Sequence, residues 1–141
     1  MVLESRTRTG DLGADCAVQR LESLGYTILT RNWRGGHGEV DVIAQDGDHV
    51  IAVEVKTRRG CGTDPKLWMP SLTQQQRIIH SLHAYVRIHL RGQYACRFDV
   101  MLVGVQGATA RVKEHLIAAF DGSVFGQTPS LRRGRRWRRV R

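Results

Sequence analysis

The chain has 141 residues, a net charge of +9 and 41% hydrophobic residues, enough for one domain with a packed core and too few for two. No run approaches the roughly 18 continuous apolar residues that cross a bilayer, and Met1-Val2-Leu3-Glu4-Ser5-Arg6 lacks the apolar stretch of a signal peptide, so a cytoplasmic location and no membrane partner are expected. Cys16, Cys61 and Cys96 are far apart with no Cys-x-x-Cys pair; this indicates neither a disulfide framework nor a zinc site, and predicts reduced thiols, with Cys16 and Cys96 as small core residues.

In chain order, residues 10–24 place Leu12, Ala17, Val18, Leu21 and Leu24 at helical spacing, closed by Gly25. The Gly10-Asp11-Leu12-Gly13 segment is no nucleotide loop, because it follows no strand and lacks the Lys-Ser/Thr of a P-loop. Residues 26–33 form a β-rich run, followed by a turn at Gly35 and Gly36. Two further strands, Gly38-Glu39-Val40-Asp41-Val42-Ile43-Ala44 and Val50-Ile51-Ala52-Val53-Glu54-Val55-Lys56, flank Gln45-Asp46-Gly47-Asp48, and Asp-Gly between β-rich runs signals a hairpin. Residues 72–90 repeat Ile78, Ile79, Leu82, Val86 and Leu90 as a second amphipathic helix ended by Gly92. Residues 98–103 read as a buried strand and 111–115 as a short edge strand. Helix, three strands, helix and strand make an α/β domain, a mixed sheet flanked by helices, over residues 1–121, with a flexible tail over 122–141.

The two hairpin strands carry acids where apolar residues are the rule. With Asp46-Gly47 as the turn, Gln45 faces Asp48, Ile43 faces Val50, Asp41 faces Ala52 and Glu39 faces Glu54. Side chains alternate with a period of two, so Glu39, Asp41, Glu54 and Lys56 share one face, with Asp41 and Glu54 as diagonal neighbours. Hard cations such as Mg²⁺ or Mn²⁺ take one or two carboxylates, and Asp41, Glu54 and the Val55 carbonyl offer three oxygens. Lys56 beside them would orient a water or offset charge on a phosphorane-like transition state. A cross-strand salt bridge on a solvated face is the plainer reading of the bare Glu-x-Lys triplet.

These segments, together with Gly25-Tyr26, Arg31-Asn32-Trp33-Arg34, Val53-Glu54-Val55-Lys56-Thr57-Arg58, Arg97-Phe98-Asp99 and Ala119-Phe120, resemble the YraN-like family of bacterial proteins over about residues 10–121. That family is similar in fold to Holliday-junction resolvases and the restriction-endonuclease-like (PD-(D/E)XK) superfamily. The resemblance implies a metal-dependent nuclease acting on DNA, with metal-binding acids at Asp41 and Glu54, a catalytic lysine at Lys56, and Glu39 near the same metal. The chain departs from the pattern at Ala14, where relatives usually carry a glutamate; Asp15 stands one residue on, about 100° around the helix. Gln74-Gln75-Gln76 stands where many relatives carry a basic residue. A non-catalytic nucleic-acid-binding protein that kept the fold is the alternative, and an interaction protein whose acidic face and tail meet a protein partner is a third.

Seven arginines crowd the last ten residues, Arg132, Arg133, Arg135, Arg136, Arg138, Arg139 and Arg141, leaving +2 of the net +9 to the rest of the chain. Such a tail neutralises phosphates without choosing a sequence, and Trp137 within it suits stacking on an unpaired base. Arg31, Arg34, Arg58 and Arg59 flank the hairpin ends, singly explained as solubilising surface charge and as a cluster better explained as phosphate clamps, and His37, next to Gly38, is a phosphate contact or proton carrier. Nucleic acid is the expected partner, DNA ahead of RNA, and a homodimer would suit two cuts in a junction. His80, His83 and His89 read as polar-face residues of the second helix, and Asp99 as a partner for Lys56 or for Arg97. Residues 60–70, with Trp68 and Met69, are a substrate lip, a dimer contact or a packing plug.

Overall fold

The computed structural model describes residues 2–59, 64 and 68–122, with side chains from residue 10 onward. Helix α1 (Val2–Ser23) leads into strands β1 (Thr27–Arg34), β2 (Glu39–Asp46) and β3 (His49–Arg59). Helix α2 (Leu72–His89) then crosses to β4 (Ala95–Gln106), which turns into β5 (Thr109–Phe120). The strands lie in the order β1-β2-β3-β4-β5, antiparallel except for the parallel β3–β4 pair that α2 connects. This mixed α/β arrangement is that of a restriction-endonuclease-like core, and no described helix is long and apolar enough to cross a membrane.

Each helix covers one face of the sheet. On the α1 face, Ala17 and Leu21 pack on Val42, Ile51, Val53, Met101 and Val103. On the α2 face, Ile78, Ile79, Leu82 and Tyr85 pack on Ile43, Val50, Ala52, Cys96 and Phe98. The predicted stop at Gly25 is a Schellman motif: Tyr26 N donates to Leu21 O and Gly25 N to Glu22 O, with Gly25 at φ 87°. At its other end α1 starts at Val2, a turn and more before residue 10, because its internal glycines are tolerated. Gly13 is where α1 meets β3, since a Cβ there would overlap Thr57 Oγ1. Helix α2 starts at Ser71, whose hydroxyl caps Gln74 N at 3.2 Å, and stops at Leu90, which is already extended, ahead of Gly92.

Three expectations are corrected. The two-residue turn is Gly47-Asp48, with Gly47 at φ 60° and Asp46 paired to His49, so Ile43 faces Ala52 and Gln45 faces Val50. The error is two residues, which preserves the period of two and keeps Asp41, Glu54 and Lys56 on one face, but continuing the register sets Asp41 across from Glu54 instead of diagonal to it. Second, β5 is a 12-residue strand spanning the sheet edge, not a short one. Third, of the two partners read for Asp99 it takes Arg97 and not Lys56: Val53 faces Asp99 and Glu54 faces Val100, so Asp99 lies on the α1 face.

There Asp99 accepts four hydrogen bonds, from Arg97 Nε and Nη2 at 2.9 and 2.7 Å, His115 Nε2 at 2.8 Å and Ala118 N at 3.0 Å. The last holds Ala118 at φ 53°, a conformation few residues with a Cβ adopt. Burial alone would raise the Asp99 pKa, but His115 and Arg97 hold it below the ordinary carboxylate range. Arg97 also donates to Tyr26 Oη at 3.0 Å, tying β4 to the start of β1. Trp68 is buried against Val100 and Leu102, with Met69 beside it, so this part of the β3–α2 connection is a packing plug and not an exposed lip. Cys96 is buried and Cys16 half-buried, both as free thiols, whereas Cys61 lies outside the described residues.

Removing Asp99 leaves Arg97 buried without its counter-charge. Asp99→Ala is expected to cost about 3–5 kcal/mol, read as a lowered urea midpoint at unchanged m value.

Candidate active site

The β2–β3 ladder pairs Asp46 to Val42 with His49 to Val53 and then opens. Continuing the register would bring the Val55 N–H to the Val40 backbone; instead it donates to Asp41 Oδ2 at 2.8 Å. Val40 and Ile43 both join the α2-side core while Val42 joins the α1 side, so strict alternation breaks here. The break turns the Asp41 carboxyl toward β3, where the Val55 N–H holds it near that of Glu54, close enough for the two groups to act on each other's ionisation. Lys56 follows on the same face, its Nζ 3.2 Å from Glu54 Oε1. The grouping predicted from the hairpin is therefore present.

Helix α2 completes the cluster with a residue the sequence did not nominate. Gln74 Nε2 donates to Glu54 Oε1 at 2.9 Å, and Gln74 Oε1 accepts from Lys56 Nζ at 3.4 Å. Ser71-x-x-Gln74 has the form of a capping box, in which the glutamine folds back onto its own helix end. The side chain reaches across to β3 instead, from the glutamine run that departs from the basic residue of many relatives.

Two carboxyls this close cannot both stay ionised without a cation between them. Burial, then the Asp41 charge, pushes the Glu54 pKa up to about 7, against the pull of Lys56. Burial also raises Asp41, with the Glu39 charge adding to it, while the Val55 N–H draws it down. A proton satisfies the pair; so would a hard divalent cation. In an extended strand a residue's N–H and C=O point to the same neighbour, so the Val55 carbonyl faces the opened edge beside Asp41. Asp41, Glu54 and Val55 thus fit Mg²⁺ or Mn²⁺ by donor type. Among the described residues no three His, Cys, Asp or Glu side chains form a ligand cluster, so a cation here would have two carboxylates from the protein's side chains.

The supporting residues divide. Glu39 is close enough to raise Asp41, and its carboxylate takes Arg34 Nε and Nη2 at 3.0 and 2.8 Å. His37, in the glycine-rich turn, stands edge to face with His80 of α2, ring centroids 5.7 Å apart. Asp15 is not brought in: it pairs with Arg31 at 2.9 Å on α1, the helix that covers the other face. Arg58, exposed beyond Lys56, donates to the Thr57 carbonyl at 2.8 Å, and Arg59 reaches Gly107 O at 3.5 Å. His83 and His89 pack edge-on or tilted against Phe98, Trp33 and Tyr85. Arg132, Arg133, Arg135, Arg136, Trp137, Arg138, Arg139 and Arg141 lie outside the described residues.

The profile of the uncharacterised protein family UPF0102 matches residues 13–103, which take in α1 from Gly13, all three site strands, α2 and most of β4. The chain belongs to UPF0102. A UPF0102 protein of Nitratidesulfovibrio vulgaris (strain DP4) is 39% identical over 123 residues, covering 85% of this chain and 89% of the relative. Another, of Synechococcus sp. (strain JA-3-3Ab), is 39% identical over 118 residues, 79% of this chain and 90% of the relative. A third, of Rhodococcus opacus (strain B4), is 37% identical over 111 residues, 79% of this chain and 94% of the relative. The matched stretch of this UPF0102 chain ends before β5, so Asp41, Glu54, Lys56 and Gln74 lie inside it and the His115 side of the Asp99 network does not.

An acid whose pKa is raised by folding keeps its proton in the native state over a range where the unfolded chain has lost it, so stability falls as pH rises through that range. In divalent-free buffer, stability should fall between about pH 4.5 and about pH 7, the ordinary and folded values for Glu54. Glu54→Gln should flatten most of that slope in urea titrations across the range; an unchanged slope would contradict the buried, proton-sharing pair.

Proposed function

We propose that this chain is a Mg²⁺- or Mn²⁺-dependent nuclease that hydrolyses phosphodiester bonds in DNA, with branched or flapped DNA as the substrate class. The observation that carries this reading is the grouping of half-buried Asp41 with buried Glu54, close enough for each to act on the other's ionisation, with Lys56 3.2 Å from Glu54. The fold and the resemblance to resolvase-like nucleases support it, and so does the placement of the three residues where the β2–β3 pairing ends.

Asp41, Glu54 and the Val55 carbonyl would hold the cation, which when bound lowers the pKa of water and polarises a phosphoryl oxygen. The chain's own groups do the rest. The Val55 N–H holds one oxygen of Asp41 and so orients its carboxyl. Lys56 is held by Glu54 and Gln74 and lies only partly exposed, with side-chain exposure of 19%. Its ammonium is a preorganised positive charge for the developing phosphorane and a hydrogen-bond donor that aligns the attacking water. Arg58, two residues beyond Lys56 and exposed, sits where the flanking phosphate of a bound strand passes. A pair of chains would supply the two cuts a four-way junction needs.

A second reading has its own observation. Ala14 stands in α1 where a first-helix acid would be, and Asp15 beside it is drawn to Arg31. A protein that binds nucleic acid through the same face without cutting it fits that arrangement.

Purified full-length protein with Mn²⁺ is expected to nick labelled flap or junction DNA. Asp41→Ala and Lys56→Ala should each lower the cleavage rate by about 10²-fold or more while binding persists. Binding without cleavage in every divalent metal supplied would select the second reading.

A further inference from the structure

Helix α2 carries Arg77, His80, His83, Arg87 and His89 and has no Asp or Glu anywhere along its length. The solvent face of a surface helix ordinarily mixes charges of both signs. Arg77, His80 and Arg87 follow one another at spacings of three and seven, so they form one stripe on the side away from Ile78, Leu82 and Tyr85. His83, flanked by His80 and Arg87, is held below its ordinary pKa chiefly by burial and serves as neutral packing within the stripe.

The stripe begins at the active site. Gln74, which touches Glu54 and Lys56, precedes Arg77 by three residues, about 4.5 Å along the helix axis. Arg77 lies over Gly38, its Cβ 3.7 Å from the position a Gly38 Cβ would take, and Ser81 Oγ donates to Gly38 O at 3.5 Å. His37, from the same turn, meets His80. Gly38 is three residues from Asp41, about 10 Å along the strand, or a few nucleotides at 3.4 Å of rise per strand.

The arginines the sequence nominated on β1 are committed elsewhere, Arg31 to Asp15 and Arg34 to Glu39. Arg77 and Arg87 have no acidic partner within ion-pairing distance among the described residues. We propose that the acid-free face of α2, Arg77, His80 and Arg87 with His37 beside it, binds the phosphate backbone of the strand whose scissile bond lies at Asp41 and Glu54. This rests on the nuclease reading, from which it inherits the ligand, and it adds the direction the strand takes: along α2 and away from β1. The occupant is a polyphosphate chain because the surface offers cations and no acids, with Ile88 exposed beside Arg87.

The test is equilibrium binding of full-length protein to labelled flap DNA by fluorescence anisotropy, with Ca²⁺ as the divalent ion, between 50 and 200 mM salt. Arg77→Gln/Arg87→Gln should bind several-fold more weakly and lower the slope of log K against log salt by about 1.4 to 1.8 for two lost phosphate contacts. Arg77→Glu should weaken binding further. Arg111→Gln, a single-charge loss on β5 at the far edge of the sheet, should leave the slope unchanged. Unchanged affinity and slope in the double variant, with the wild type still binding, would overturn the α2 surface and leave the nuclease reading intact. An equal effect of Arg111→Gln would overturn it as a matter of net charge alone. Absence of salt-sensitive binding by the wild type would overturn both.

Discussion

The hydrogen bond from the Val55 N–H to Asp41 Oδ2 stands where the backbone ladder between β2 and β3 would otherwise continue. A side-chain oxygen accepts what a main-chain carbonyl normally takes, so the strands part without leaving a buried N–H unpaired. The parting has two consequences for the site. It brings one carboxyl near another, and it frees the edge of β3 next to Lys56. A substituted ladder bond thus yields an opened, acid-lined edge at the middle of the sheet, with α2 closing one side through Gln74.

The two faces of the sheet handle buried charge in opposite ways. On the α1 side Asp99 is fully satisfied: four donors surround it, its pKa is lowered, and the cluster links β4, β5 and the start of β1. On the α2 side Asp41 and Glu54 have fewer donors than lone pairs, and both pKa values are raised, chiefly by burial. A saturated carboxylate serves structure; an undersupplied pair retains capacity for a ligand. That contrast within one sheet is why the Asp41–Glu54 pair, and not Asp99, is assigned to chemistry.

Most of this was legible from residues. Gly25 announced the end of α1 because a left-handed C′ position favours glycine, and the hairpin strands announced themselves by their apolar runs around Asp-Gly. The shared face of Asp41, Glu54 and Lys56 survived a misplaced turn because an error of two residues preserves the period of two. What was hidden depended on tertiary contact. The length of β5 was obscured by its half-buried, polar alternation and by the left-handed Ala118 that only Asp99 supports. Gln74 was hidden because its side chain reaches across to β3, and Arg31 and Arg34 looked free because their partners, Asp15 and Glu39, are assigned only once α1 and β2 are in place.

The central claim is that Asp41 and Glu54 together take one divalent cation in place of the proton they share. Calorimetric titration of the full chain with Mn²⁺ near pH 7 tests it most directly. One ion should bind per chain, with heat that depends on the buffer because a proton is released, and Asp41→Asn/Glu54→Gln should bind none at that site. Equal binding by the wild type and the double variant, or binding with no proton released, would contradict the account.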